Sequence, residues 1–179
     1  MVTSVQPVQP IEFLRKLRSI RRFTDEPPPR GAVDDILAIA RWTGSAKNRQ
    51  HWAFVLVRDR EILARMAAAE GSAKHLAGAS LGILLVMDGS DLVEQETFDE
   101  GRLAERIALM ANAHGLESCI GWFKGSGRDD VKALLGIPPE KLVRTVMSIG
   151  YEDTGADGAR NHPEHPRKPL ADLVHEGRW

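Results

Sequence analysis

The chain has 179 residues, with 24 basic and 25 acidic side chains and a formal net charge of −1. This length suits one domain with a full hydrophobic core, because single domains of this size bury roughly two-thirds of their unfolded surface. The balanced charge gives no general attraction to nucleic acid or to an anionic membrane, so any anion site must be local. Cys119 is the only cysteine, which excludes an intrachain disulfide and suits a reducing compartment.

No targeting or membrane-spanning segment is predicted. The first ten residues lack the cationic start and the apolar run of a signal peptide. The most apolar stretch, residues 79–87, is too short to cross a bilayer. We therefore expect a soluble, cytoplasmic protein with no membrane partner and no nucleic-acid partner.

Hydrophobic periodicity predicts a chain in which helices and strands alternate irregularly. In chain order, helices are predicted over residues 11–17, 33–42, 62–69, 99–114 and 129–135, and strands over 52–57, 81–87, 117–122 and 145–151. Residues 81–87 are nearly all apolar, which predicts a central strand covered on both faces. Gly115 is expected to end the longest helix.

These elements predict a single domain over residues 1–179, with a tail over 1–10 and an extended arm over 152–168. No Gly-x-Gly-x-x-Gly follows the first strand, so a doubly wound dinucleotide-binding fold is not expected. His162 and His165 lie in the arm without a cysteine or a supporting helix, and they do not predict a metal site.

Two basic clusters are candidates for gripping a phosphate dianion, Arg by its planar fork and Lys as a point charge. The first contains Arg18, Ser19, Arg21 and Arg22, and the second, much later, contains Arg167 and Lys168. The alternative for the first cluster is ordinary surface charge, because cations are favoured near helix C-termini and are usually solvated there.

Two further segments are candidates for contacts with a flat ring. Ser45, Asn48 and Gln50 form a polar loop before a strand, which turn chemistry alone also explains. Ile120 precedes Gly121, whose missing Cβ would let the backbone approach a ring closely; the alternative is a tight bend after a strand.

The order and spacing of these four segments resemble the nitroreductase family of FMN-dependent oxidoreductases, from Phe13 to Trp179. Family members typically have Arg-Arg-Ser-x-Arg, then Pro-Ser-x-x-Asn-x-Gln-Pro-Trp before a strand, and later Arg-Lys-Pro-Leu followed by a terminal Arg-Trp. The chain departs from this pattern at three positions. Leu17, Gly44 and His51 stand where the family has Arg, Pro and Pro.

The resemblance implies an α+β sandwich with a mixed, mainly antiparallel sheet flanked by helices, in an interlocked homodimer with two flavins at its interface. The implied FMN contacts are Arg18, Ser19, Arg21, Arg167 and Lys168, with Arg22 as a substitute for the Arg missing at position 17; Ile120 and Gly121 at flavin N5 and O4; and Ser45, Asn48 and Gln50 beside the flavin, the first two from the partner subunit. Trp122 and Phe123 are candidates for walls of the substrate pocket.

The function implied is hydride transfer from NADH or NADPH through FMN to a planar, electron-poor small molecule, a nitroaromatic or a quinone, by a ping-pong mechanism. The flavin carries that chemistry, so no catalytic side chain is expected and Cys119 is expected to be a buried apolar residue. The alternatives are a deazaflavin reductant, flavin fragmentation, dehalogenation, or a flavin-binding protein without turnover. A nucleic-acid binder using the first basic cluster is disfavoured by the balanced charge.

Overall fold

A computed structural model describes residues 10–155 and 167–179 of the protein. The helices are α1 Pro10–Lys16, α2 Arg30–Arg41, α3 Arg60–Ala68, α4 Val93–Ala113 and α5 Gly127–Leu135, the strands are β1 Trp52–Val57, β2 Leu81–Met87, β3 Glu117–Trp122 and β4 Leu142–Gly150, and three 3-10 turns cover Ala46–Asn48, Lys74–Gly78 and Leu170–Asp172. No helix in these two ranges is both long enough and apolar enough to cross a membrane. The predicted tail lies outside the described residues up to position 9, and the arm, with His162 and His165, does so from 156 to 166.

The four strands form one sheet in the order β1-β2-β4-β3, and all three pairings are antiparallel. The predicted α+β class with a mainly antiparallel sheet is therefore confirmed. The prediction that residues 81–87 form a central strand is also confirmed, because β2 pairs on both sides and all seven of its residues are buried.

The hydrophobic core is divided by the sheet into two layers. Side chains of a strand alternate between faces, so Ile83 and Leu85 of β2 pack with α2 and α4, whereas Leu84 and Val86 pack with α3 and α5. Full burial of one such side chain contributes roughly 1.5–3 kcal/mol. Strand β2 therefore contributes side chains to both core layers and pairs with β1 and β4.

Helix α4 begins at Val93, six residues before the predicted start at 99. The apolar period fails there because the buried positions of its first two turns are acidic: Glu96, Asp99 and Glu100. Glu96 accepts hydrogen bonds from the backbone N–H groups of Gly89 at 3.0 Å and Ser90 at 2.9 Å. A buried carboxylate with such partners is stable, but hydrophobic periodicity does not reveal it.

Strand β4 begins at Leu142 rather than at the predicted 145, and it contains a bulge. Leu84 pairs with Val146 and Val86 pairs with Val143, so two residues of β4 lie opposite one residue of β2. The extra residue breaks the two-residue alternation on which the prediction depended.

Candidate functional site

The first basic cluster lies along the outer edge of β3. Ser19 forms a parallel bridge with Ser118, and the Ile20 N–H donates to the Ser118 carbonyl oxygen at 2.9 Å. Ile20 and Phe23 are buried and anchor this segment, whereas Arg21 between them is exposed. Burial of the apolar anchors thus fixes the backbone while the cationic side chains face solvent.

The guanidinium groups of this cluster are not neutralised by acidic side chains within the described ranges. Arg21 and Arg22 take part in no ion pair there. Nη1 of Arg18 donates to two nearby carbonyl oxygens, of Arg15 at 2.6 Å and of Leu17 at 2.8 Å. The three guanidinium groups therefore lie beside a sheet edge without an ion-pair partner in the described ranges, in a chain whose overall charge is nearly zero.

The same edge presents a free backbone donor at Ile120. The carbonyl oxygens of Ser118 and Trp122 both accept hydrogen bonds on the outer side of β3, at 2.9 and 2.7 Å. Alternate residues of a strand direct their N–H and C=O groups to the same edge, so the Ile120 N–H points outward between these two. No hydrogen bond among the described residues uses that N–H.

A small cavity of about 120 Å³ joins the two segments. Its lining includes Arg18, Ser19 and Ile120, together with Glu105 of α4 and Met147 of β4. The structure therefore brings part of the basic cluster and part of the predicted ring-contacting segment into one groove.

The structure shows a packing requirement for glycine at position 121, in addition to the ring contact and the tight bend considered from the sequence. A Cβ at this position would lie 2.8 Å from Cβ of Ala73 and 3.1 Å from Cγ1 of Val146, both inside the protein. The tight-bend alternative is wrong, because β3 continues through Trp122. Glycine is required here so that the segment carrying Ala73 can pack against the strand.

Of the two predicted pocket walls, only Trp122 presents surface. Its exposed fraction is 38%, whereas Phe123 is 0% exposed and packs in the core layer beside α3 and α5. Phe123 is therefore a core residue in the described chain, since no part of its side chain is accessible to a ligand. Trp122, by contrast, is exposed on the same stretch of β3 as Ile120.

A buried ion pair that sequence reasoning missed lies beneath Trp122. Nη2 of Arg144 contacts Oε2 of Glu100 at 2.5 Å, and both side chains are less than a tenth exposed. The Arg144 guanidinium also lies 5.7 Å from the centre of the Trp122 ring, within the range of a cation–π contact. Arg144 follows Val143, whose side chain lies in the α3/α5 layer, so alternation along β4 directs Arg144 to the opposite face, towards α4.

The loop from Gly44 to His51 is organised by its own polar groups. Ser45 Oγ accepts a hydrogen bond from the Gln50 N–H at 2.9 Å, and Gln50 Nε2 donates to the Asn48 carbonyl oxygen at 3.2 Å. Lys47, Asn48 and Gln50 all have positive φ, between 51° and 54°. Ser45 and Gln50 therefore serve the turn, and the Asn48 side chain is exposed.

Both ends of this loop are held by one carboxylate. Asp99 contacts Nε2 of the buried His51 at 3.3 Å and Nη1 of Arg102 at 3.4 Å, and the same Nη1 donates to the Gly44 carbonyl oxygen at 2.6 Å. A Cβ at Gly44 would lie 2.9 Å from Nη2 of Arg102. Two departures from the family pattern, Gly44 and His51, are thus explained by contacts with Asp99 and Arg102.

Two buried titratable groups lie behind the β3 edge. Burial, and then the Arg21 guanidinium, lowers the pKa of His75 to about 4, an effect that a hydrogen bond to the Ile120 backbone partly opposes. Burial raises the pKa of the Cys119 thiol, while Arg21 and a hydrogen bond to Ser19 oppose that rise. The thiol is therefore neutral at neutral pH, as expected for a structural cysteine.

The remaining predicted residues are not joined to the groove within one chain. Ser45, Asn48 and Gln50 do not line it, and Arg167 and Lys168 are exposed at the start of the last described segment. Their roles stay predictions. His75 and Arg144 had no motif or spacing that could have identified them.

Comparison with known families identifies the class. The family model described as "Nitroreductase family" matches residues 14–151, which is more than half of the chain. A protein of Archaeoglobus fulgidus is 31% identical over 179 residues, covering 94% of this chain and 98% of that protein. The chain belongs to the nitroreductase family.

A second relative is similar to this chain in sequence over most of its length, and two solved structures are similar to it in fold. The "Oxygen-insensitive NADPH nitroreductase" of Salmonella typhimurium is 27% identical, covering 94% of this chain and 74% of that protein. A structure named as an FMN-dependent nitroreductase from Clostridium difficile R20291 has a TM-score of 0.72 and 26% identity, covering 87% of this chain and 99% of that one. A structure from Parabacteroides distasonis, with a TM-score of 0.82 and 20% identity, covers 96% and 99% and supports the fold alone.

Proposed function

We propose that the protein is an FMN-dependent oxidoreductase that uses NADH or NADPH to reduce a planar, electron-poor acceptor, a nitroaromatic or a quinone. Family membership supports the class, and one relative and one neighbour are named for NADPH and for FMN. The observation that carries the proposal is the free Ile120 N–H, which lies on the edge of β3 beside a basic cluster with no acidic partners in the described ranges.

The residues present fit an anionic flavin nucleotide. Bound FMN would accept hydride from the nicotinamide and pass electrons on to the acceptor. The Ile120 N–H would donate to the polar edge of the ring, and Arg21 would oppose the negative charge that reduction builds there, since oriented donors and cations stabilise such charge. Arg18, Ser19 and Arg22, with Arg167 and Lys168, would bind the phosphate and the ribityl chain.

The side chains of the protein would position the cofactor and the substrate, and none of them would react covalently. The Cys119 thiol is buried and its pKa is raised, which removes it as a nucleophile at neutral pH. Trp122, fixed from below by the Glu100–Arg144 ion pair, offers a flat surface to a planar substrate. We propose that nicotinamide and acceptor occupy this surface in turn, which gives ping-pong kinetics.

We further propose a cytoplasmic homodimer of single-domain subunits in which each site uses two chains. The loop that carries Ser45 and Asn48 is well ordered by its own contacts, yet it does not line the groove of its own chain. Placing Asn48 beside the flavin of the partner subunit would complete the site.

The experiment is to purify the protein, record its absorption spectrum, release any flavin by denaturation and identify it by chromatography. We expect roughly one FMN per chain, either as isolated or after incubation with FMN. Initial rates over a grid of nicotinamide and quinone concentrations should then give parallel double-reciprocal lines. A protein that neither contains flavin nor takes up FMN would refute the proposal.

A further inference from the structure

One acidic side chain lies in the groove beside the basic cluster. Glu105 of α4 lines the cavity of about 120 Å³ together with Arg18, Ser19 and Ile120. It is exposed, and it takes part in no hydrogen bond or ion pair with the part of the chain that the structure describes. A carboxylate in a groove that should bind an anionic nucleotide repels the ligand, unless it accepts a hydrogen bond from a particular donor of that ligand.

The cavity admits only one end of a flavin nucleotide. Sites that enclose a ligand of drug size usually have a volume of roughly 300–1,000 Å³, which is well above the 120 Å³ of this groove. Its lining includes buried Ala108 of α4 and buried Met147 of β4, whereas Arg18 and Glu105 are exposed. Apolar surface combined with a few polar groups suits a flat ring that has polar atoms along one edge.

The polar groups around the cavity include two donors and one group that only accepts. The Ile120 N–H points outward from the β3 edge and has no acceptor in the described ranges. The Arg18 guanidinium has five N–H groups, and only its Nη1 donates to protein, to the carbonyl oxygens of Arg15 and Leu17. The ionised Glu105 carboxylate can only accept. The groove therefore offers donors and an acceptor to the same ligand.

The pyrimidine edge of a flavin has the complementary set of groups. Its carbonyl oxygens O4 and O2 accept hydrogen bonds, and the N3–H group between them donates. With the Ile120 N–H donating at the O4 side of the ring, N3–H lies next to that contact and requires an acceptor. Among the described residues that line the cavity, Glu105 has the only carboxylate.

We propose that Glu105 is a cofactor-specificity residue: its carboxylate accepts the N3–H of the flavin beside the Ile120 N–H, so that the groove selects the pyrimidine edge of the ring. This inference rests on the proposed function. A hydrogen bond to a charged acceptor is stronger than one between neutral groups. It offsets the repulsion between Glu105 and the anionic cofactor, which explains an acidic side chain beside the basic cluster.

The test uses FMN and 3-methyl-FMN, in which a methyl group replaces the N3 proton. Dissociation constants of both flavins are measured by fluorescence quenching for the parent, Glu105→Ala and Glu105→Gln. We expect the parent to bind 3-methyl-FMN about tenfold more weakly than FMN, because the hydrogen bond to the carboxylate is lost. Glu105→Ala should reduce this ratio to below about threefold, and Glu105→Gln, whose amide oxygen also accepts, should keep most of it.

Glu94→Ala is the matched control. Glu94 is an exposed glutamate near the start of the same helix, about 16 Å from Glu105 along the helix axis. Its substitution should leave the ratio of the two dissociation constants as in the parent. Both flavins carry the same phosphate, so a change in phosphate binding cancels in this ratio. Alanine at an exposed helical position favours the helix, so both alanine variants should fold.

Each outcome decides a different statement. A parent that binds neither flavin refutes the proposed function and the inference together. A parent that binds both flavins equally, or a Glu105→Ala variant that keeps the parent's ratio, overturns the inference alone. So does a Glu105→Gln variant that discriminates no better than Glu105→Ala. A ratio that is kept in Glu105→Ala and lost in Asn48→Ala would assign the acceptor to the loop and would also overturn the inference.

Discussion

The β3 edge and the Gly44–His51 loop both present polar groups at the surface, but they are held by different kinds of interaction. The edge is held by backbone hydrogen bonds and by neutral His75 and Ser148 inside the core. The loop is held by charged groups, with Asp99 contacting His51 and Arg102. The two regions therefore differ in the kind of group that supports them: neutral side chains support the edge, and a buried carboxylate supports the loop.

The two supports differ in what their loss costs. Removing the buried Asp99 carboxylate takes away a hydrogen-bond partner of buried His51 and an ionic partner of half-exposed Arg102, which together cost about 2–4 kcal/mol. Losing a neutral hydrogen bond costs about 1 kcal/mol. The loop should therefore depend on a single carboxylate, whereas the edge depends on several weaker contacts.

The largest expected effect tests whether the two regions meet across subunits. Arg21→Ala changes the edge and Asn48→Ala changes the loop, and each homodimer should be nearly inactive. After the two variants are unfolded and refolded together, about half of the dimers should be mixed, and each of these should carry one intact site. Activity of the mixture is measured against each variant refolded alone.

Demonstrated subunit mixing without recovery of activity would reject the shared site. In that case every site of a mixed dimer would retain one lesion, so both regions would belong to the same chain.

The next effect is on the ionic support of the loop. Asp99→Ala should lower the free energy of unfolding by about 2–4 kcal/mol, because the buried His51 ring loses its hydrogen-bond partner and the half-exposed Arg102 loses its carboxylate. Urea unfolding of the FMN-free protein measures the change. Asp129→Asn is the matched control, since Asp129 is exposed in its pair with Lys132 and should change stability by less than about 1 kcal/mol. Equal effects of the two substitutions would contradict the description of the loop.

The next prediction concerns the free energy of unfolding in acid, which should depend on buried, neutral His75 behind the β3 edge. His75 has a pKa of about 4 in the folded protein and 6.5 as its ordinary value. Between these pH values the unfolded chain binds a proton that the folded chain does not, so stability falls as pH decreases from 6.5 to 4. His75→Gln should remove about 3 kcal/mol of that decrease.

Urea unfolding at pH 7, 6, 5 and 4 measures this dependence. His175→Gln is the control, because His175 is exposed and should leave the acid limb unchanged. An acid limb of the same slope in His75→Gln and the parent would show that His75 is not neutral for the reason given.

The smallest effect is expected for Cys119→Ser. The thiol is buried in the edge region, and the proposed chemistry needs no protein nucleophile, so most of the turnover should remain. Steady-state rates per bound FMN measure the outcome. Loss of turnover with folding and FMN content intact would contradict the assignment of Cys119 as a structural residue.

Apolar patterning predicted the sheet better than it predicted the parts of the chain where buried positions are polar. The three strands at 52–57, 81–87 and 117–122 were predicted with their observed bounds, because their β-rich runs are short and bounded by loops. The start of α4 was missed because Glu96 and Asp99 occupy buried positions, and the start of β4 because the bulge at Arg144 breaks the alternation.

The candidate site was predictable where it depends on local sequence and not where it depends on long-range contacts. Arg18, Ser19 and Ile120 lie in segments with a recognisable pattern, and the structure brings them to one groove. His75 meets Ser148 across 73 positions, and His51 meets Asp99 across 48. No period or spacing encodes such pairs, since they depend on how the sheet and α4 pack.

The free donor at Ile120 has a consequence for how the β3 edge avoids edge-to-edge strand pairing with another chain. An open edge strand normally offers a row of N–H and C=O groups to which another chain can add a strand. Here residues 18–23 cover the edge at Ser118 and residues 71–72 cover it at Trp122. Between them, Ile120 is the one described residue whose backbone groups point outward and stay uncovered. A gap so short cannot pair with a strand, but it admits a single acceptor atom of a small molecule. The edge is thus closed to aggregation while one of its donors remains accessible.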